Sequence, residues 1–216
     1  MSNRILGTIL LIPAILVAIT FHEYAHAWMA VKLGDDTPKY QGRLTLDPLA
    51  HIDIAGFVMM LIFHFGWGKA VQTNPNNFKN YYKDDLKVSI AGPLANFFCA
   101  IVGVVLMNIL YILPISHNNN LYIIINQIVY NVAFYNCLWM ILNLLPLPGF
   151  DGFHILRDLF PKQFFKFSDN IYRYQFIILI VMIMPIFGGY SLLSLLISRP
   201  ASYIFYSIVK IVGMIF

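Results

Sequence analysis

Charge is what this sequence most lacks. Only 11% of its 216 residues are Asp, Glu, Lys or Arg, while 59% are hydrophobic. Soluble globular domains run at about 25% charged and about 45–50% apolar, so the composition points to lipid as the main solvent. The mean hydropathy of +0.71 agrees. The net charge is a scattered +4, which gives no support to a nucleic-acid partner. Cysteine is nearly absent. Cys99 and Cys137 lie inside apolar runs, far from turn signals, which leaves no disulfide framework or zinc knuckle and makes both small buried hydrophobes. Internal repeats and low-complexity tracts are missing, so the simplest organisation is a single membrane-embedded domain over 1–216. No small-residue cleavage site interrupts the apolar run that follows Arg4 and continues to Val31, so this run is expected to be a retained transmembrane helix rather than a signal peptide.

Long apolar runs are plentiful instead. A spanning helix needs about 20 mostly apolar residues. Residues 5–33, 86–113 and 121–145 each supply them. The run 174–197 is long enough but is interrupted by Pro185 and Gly188-Gly189, and 201–216 is short and holds Lys210. The latter either spans with tilt or lies at the interface. Residues 54–65 suit a re-entrant segment or a compressed span. Between Asp35 and Asp53 the pattern changes, and Tyr40-Gln41-Gly42-Arg43-Leu44-Thr45-Leu46 alternates in part, which predicts a short hairpin. The expected fold is an α-helical membrane protein, a polytopic bundle of about five to six transmembrane or re-entrant segments with a β-hairpin-like element after the first helix.

Lys and Arg mark cytosolic loops. Lys32, Lys39 and Arg43 follow the first run, Lys69, Lys79 and Lys83 lie in 66–85, and Arg157, Lys162, Lys166 and Arg173 lie in 147–173. The connection 116–120 has none. The first three regions are therefore expected in the cytosol and the 118–120 turn outside, which requires 54–65 to dip in and return.

The first run contains Phe21-His22-Glu23-Tyr24-Ala25-His26. Four residues advance a helix by about 400°, so His22 and His26 share one face, a turn apart. Two imidazoles at that spacing can hold one zinc, and Glu23 beside them can take a proton from bound water. Histidines that merely hydrogen-bond neighbouring helices would leave Glu23 unexplained in the bilayer, where ionisable residues are costly and usually functional. A catalytic zinc needs a third protein ligand and a water in the fourth position. Asp151, His154, His51, Asp53, Asp47 and His64 are the candidates. The helix 121–145 returns to the Lys32 side of the membrane and runs into Asn143-Leu144-Leu145-Pro146-Leu147-Pro148-Gly149-Phe150-Asp151-Gly152. Pro146 and Pro148 break that helix, and irregular backbone at membrane depth must be buried in protein or line a cavity. Position thus favours Asp151. An Asp-Gly pair is equally a turn, and Asp151 could simply N-cap a helix starting near Phe153.

In this order the motifs resemble the site-2 protease family, the intramembrane zinc metalloproteases of peptidase family M50, in its compact bacterial type without PDZ or CBS domains. His-Glu-x-x-His matches 22–26, and Asn-x-x-Pro-x-Pro-x-x-Asp-Gly matches 143–152. Gly92-Pro93-Leu94-Ala95-Asn96 and the loop from Asp47-Pro48 to Asp53 match two further elements. The resemblance implies that His22, His26 and Asp151 bind one Zn2+ with a water, that Glu23 is the base, and that Asn143 assists near the scissile carbonyl. It also implies a multi-pass protein of a bacterial cell membrane; the Lys and Arg pattern puts the active site nearer the cytosol. Its substrates would be transmembrane segments of partner proteins, cut in regulated intramembrane proteolysis. Two departures bear on substrate handling. The usual Gly-Trp-Ala-Lys-Pro-Val-Pro-Val loop reads Gly66-Trp67-Gly68-Lys69-Ala70-Val71-Gln72-Thr73, and His154 stands where Arg is more usual.

Other readings of single residues remain. The Asn143 amide could equally cap carbonyls freed by Pro146, and Asn96, among Ser89, Ala91, Gly92 and Ala95, reads as helix packing. A zinc or proton transporter would be expected to show a second half with matching broken helices. A client-binding protein without activity has no need of Glu23, and a di-iron oxygenase needs more histidine boxes. In a protease the substrate must unwind, and its extended segment could pair with the edge of the expected 40–46 hairpin.

Overall fold

The computed structural model describes residues 2–63, 66–114, 117–186 and 188–216. These form α1 (Ser2–Lys32), α2 (Thr37–Tyr40), α3 (Pro48–His51), α4 (Ile54–Phe63), α5 (Tyr81–Ile112), α6 (Asn120–Asn143), α7 (Asp151–Leu159), α8 (Pro161–Ile183) and α9 (Leu192–Val212), with one 3-10 turn at Pro75–Asn77. Four helices, α1 from Ile5 onward, α5, α6 and α9, are long and apolar enough to cross a membrane. The protein is an α-helical membrane protein.

Helices in lipid cannot rely on expelling water from between them, so they associate where small side chains let them approach closely. That rule is visible here. Ala14, Ala18, Ala27, Ala30, Ala100 and Ala133 are fully buried, whereas Phe98, Ile112 and Leu121 lie on the outside. The α5–α6 contact is so close that a Cβ on Gly103 would stand 2.8 Å from the Ala133 Cβ. Helices α1, α5 and α6 pack on one another in a central triad, α7 docks on α5, and α9 covers α6.

The structure corrects two expectations. No strand occurs among the described residues, and the 40–46 hairpin is not there. Pro38 sits in the first turn of the short helix α2, Gly42 takes a left-handed φ of 68°, and the Arg43 N–H closes a turn on the Pro38 carbonyl. The partial alternation of 40–46 therefore reflects an irregular surface loop, and a substrate strand has no hairpin edge to join there. The run 174–197 is likewise not one helix. Met184 ends α8, Pro185 offers no N–H, and Gly188 and Gly189 are left-handed, so the chain restarts at Leu192. The fourth span is α9, which carries Pro200 within it. Helix α4 has ten residues, about 15 Å, or half of a hydrocarbon core of about 30 Å.

Candidate metal centre

His22 and His26 meet α5 where it crosses α1, and both are buried. The His26 Nδ1 lies 2.7 Å from the Val88 carbonyl oxygen. A carbonyl only accepts, so Nδ1 carries the proton and Nε2 keeps its lone pair. The His22 Nδ1 lies 2.7 Å from Asn96 Oδ1, with the same consequence. The two free Nε2 atoms are 3.0 Å apart. Asp151 completes the group, with Oδ2 3.2 Å from His22 Nε2 and Oδ1 3.3 Å from His26 Nε2. Two lone pairs and a carboxylate repel one another at such distances unless a cation lies between them. Ligand atoms around tetrahedral zinc, with bonds of about 2.0–2.2 Å, stand roughly 3.3–3.5 Å apart, close to the edges observed. Asp151 Oδ2 is buried and accepts no hydrogen bond. A Cβ on Gly92 would stand 2.4 Å from His26 Nε2 and 2.7 Å from His22 Nε2, so glycine keeps this space open. The donor set fits a zinc ion.

The turn from α6 to α7 sets Asp151 in place. Its carboxylate is not spent on capping. Phe150 is the N-cap of α7, and no side chain caps that end. Gly152 makes the tight start possible, since a Cβ there would fall 2.3 Å from the Leu144 carbonyl oxygen. Arg157 ties α7 to α5 by donating to Asp85, and it also donates to its neighbour Asp158 on α7 over 2.7 Å. His154, one turn beyond Asp151, is pushed down by burial and then by Arg157.

Glu23 points to a different partner. The Val71 N–H donates to Glu23 Oε2 at 2.8 Å. Val71 belongs to a strap, 69–74, pinned at one end by Lys69 N–H on the His51 carbonyl at 2.8 Å and at the other by Asn74 N–H on Asp35 Oδ2 at 2.7 Å. Along it Val71 and Thr73 are half-buried against the cavity, while Ala70 and Gln72 are exposed. The cavity itself has a volume of about 470 Å³ and is lined by His22, Glu23, His26, Asn143, Asp151 and His154, among others. Asn143 sits on its wall with Nδ2 3.1 Å from the Trp139 carbonyl oxygen.

The remaining sequence candidates are placed elsewhere. His51 Nε2 bonds the Thr45 carbonyl oxygen at 2.8 Å, Asp47 accepts from Leu49 N–H at 3.0 Å, and Asp53 accepts from Gly56 N–H at 2.8 Å. All three organise the loop around α3, and His64 lies outside the described residues. Among the described residues, His22, His26 and Asp151 form the group able to hold a metal ion. Asn96, read from sequence as helix packing, joins α5 to α1 and α6 and also contacts His22. The available signal was a buried amide in an apolar helix, four residues from Gly92.

The model of peptidase family M50 matches residues 108–185. YwhC of Bacillus subtilis (strain 168), provisionally named a zinc metalloprotease, is 35% identical over 182 residues, covering 84% of this chain and 83% of that protein. The chain belongs to peptidase family M50. This M50 member is a zinc metalloprotease of the site-2 protease group. Two proteins named Rip2, provisionally zinc metalloproteases as well, are more distant and longer. That of Mycobacterium tuberculosis (strain ATCC 25618 / H37Rv) is 30% identical over 69% of this chain and 56% of its own length. That of Mycolicibacterium smegmatis (strain ATCC 700084 / mc(2)155) is 26% identical over 81% of this chain and 66% of its own length. No solved structure matches the chain.

Proposed function

We propose that this metalloprotease hydrolyses peptide bonds in transmembrane segments of membrane-protein substrates, with His22, His26 and Asp151 holding a single zinc and Glu23 acting as the base. The observation that carries the reading is the convergence of three donor groups within 3.0–3.3 Å beside a carboxylate, in a cavity among apolar helices. Zinc bound there, with water as its fourth ligand, supplies an acidified water and a Lewis-acid pull on the scissile carbonyl. The Val71 N–H occupies one oxygen of Glu23 and leaves the other to accept the proton and return it to the leaving amine. Asn143 assists by releasing the Trp139 carbonyl and donating to the substrate carbonyl. The substrate helix must unwind to enter, because its backbone amides are otherwise paired. The site lies toward the Lys32 end of α1, the end that the Lys and Arg pattern assigns to the cytosolic face of a bacterial cell membrane.

The test is zinc content in detergent-purified protein, read beside cleavage of a transmembrane substrate. Wild type should hold about one zinc, as a three-ligand catalytic site does, and His22→Ala and Asp151→Ala should lose it. Glu23→Gln should keep the metal and abolish cleavage. Zinc that survives Asp151→Ala removes that residue as a ligand, and cleavage by Glu23→Gln removes the base.

A further inference from the structure

Metal binding requires the lone pair of His22 Nε2 to face the cluster, yet His22, unlike His26, has no backbone carbonyl at Nδ1 to guarantee it. Its partner is the side-chain amide of Asn96, whose oxygen and NH2 ends have nearly the same shape. An Asn96 turned end for end would force the proton onto Nε2. Three neighbours decide the matter.

Asn136 on α6 has Nδ2 2.8 Å from the Val132 carbonyl oxygen. That carbonyl only accepts, so this end of Asn136 is the NH2 and its oxygen faces Asn96. Over the 2.9 Å between them Asn96 must present its own NH2, which also reaches the Ala18 carbonyl oxygen at 2.9 Å. Both Asn96 hydrogens are then spent on acceptors, and the oxygen is left for His22 Nδ1–H. Asn96 and Asn136 are both fully buried, so no bulk water can take the place of a missing partner.

We infer that Asn96 and Asn136 form a two-amide relay from the Val132 carbonyl through α5 to α1 that fixes the tautomer of His22 for metal binding. Both are positioning residues that touch no substrate and no metal. The inference rests on the reading of His22, His26 and Asp151 as the metal donors. Packing alone would require these amides to be paired; the relay requires them to be paired in one direction.

That difference is measurable in the full chain in detergent, by zinc affinity in chelator competition and by the electronic spectrum of the cobalt-substituted protein. Asn96→Leu removes the acceptor, and Asn136→Leu removes one of the two acceptors that orient it, leaving the Ala18 carbonyl. Asn96→Leu should weaken zinc binding about 10–100-fold, as loss of a ligand's direct partner does, and Asn136→Leu should weaken it by less but measurably. Asn96→Asp keeps an acceptor on His22 but loses the donors to Ala18 and Asn136, and Asn136→Asp keeps an acceptor toward Asn96. Both Asp variants should be less heat-stable, yet bind zinc within a few-fold of wild type and keep its cobalt spectrum. A plain packing role makes Asp as damaging as Leu, so zinc loss in either Asp variant overturns the relay. Wild-type affinity in all four variants overturns it too. If the Leu variants do not fold, the Asp variants still decide by the same readings. Wild type that binds no zinc, or Asp151→Ala that binds it fully, defeats the ligand assignment instead, and is read on separate samples.

Discussion

Replacing Gly92 with alanine should empty the metal centre while leaving the fold standing. The added Cβ would stand 2.4 Å from His26 Nε2, 2.6 Å from His22 Cε1 and 2.7 Å from His22 Nε2. Ordinary contact begins near 3.4 Å, so the rings or the helix must yield by up to about 1 Å. The rings have little freedom, because Asn96 and the Val88 carbonyl each hold one Nδ1 at 2.7 Å. Metal–ligand distances tolerate only about 0.2 Å. The variant therefore loses zinc whichever part moves, and the strain costs about 1–3 kcal/mol as in other overpacked cores.

The assay is zinc per protein in the folded, monodisperse fraction, with Gly103→Ala as a control. At Gly103 the Cβ would meet the Ala133 Cβ at 2.8 Å, a comparable crowding at the α5–α6 contact away from the cluster. Gly103→Ala should lower the melting temperature and keep its zinc. Gly92→Ala should fall to about a tenth of the wild-type zinc or less. Stoichiometric zinc at wild-type affinity in Gly92→Ala would refute the reasoning, since the imidazoles would then not be where the metal binds.

Three further outcomes are expected. Val71→Pro deletes the N–H that holds Glu23, and because a hydrogen bond to a charged group is worth about 1.5–3 kcal/mol, kcat should fall about tenfold or more with zinc content unchanged. Asp35 is fully buried and accepts from Thr37, Asn74 and Asn77; burial would raise its carboxyl, and these donors together hold it below the usual range. A folded-state value below the unfolded one stabilises above about pH 4 and is lost as pH falls through the folded value, so melting temperatures measured from pH 7 to pH 3 should fall more steeply for wild type than for Asp35→Asn. Equal slopes would exclude that role for Asp35. Chelation should abolish cleavage reversibly and lower the melting temperature of wild type and Glu23→Gln alike, with no effect on Asp151→Ala, because a ligand that binds only the folded state stabilises it.

The parts legible in sequence were those with a local period or a local motif. Span length marked α1, α5 and α6, since a spanning helix satisfies its own backbone. The spacing of His22 and His26 is a property of one helix and needs no tertiary knowledge. The 40–46 segment misled because alternation marks a strand only where a partner strand exists, and Gly42 and Pro38 turn the chain before one could pair. The boundary between α8 and α9 depended on how far Pro185 and the two following glycines bend the chain, which hydropathy does not measure. The contact of Val71 with Glu23 joins residues 48 positions apart, and no pattern in either segment announces it.

Asn96 shows why the missing part was chemical rather than geometric. Its apolar neighbourhood reads as packing, and it does pack: the helices touch there. In lipid, however, a buried amide must also be fully paired. Asn131 meets this demand toward the other end of the bundle, donating from α6 to the Leu10 carbonyl of α1 at 3.0 Å. Asn96 and Asn136 meet it at the depth of the histidines, where the last acceptor is satisfied by His22. The bonds that set α1, α5 and α6 against one another thus also set the imidazole. A polar residue in an apolar helix of such a protein is therefore better traced to its last hydrogen bond than assigned to packing alone.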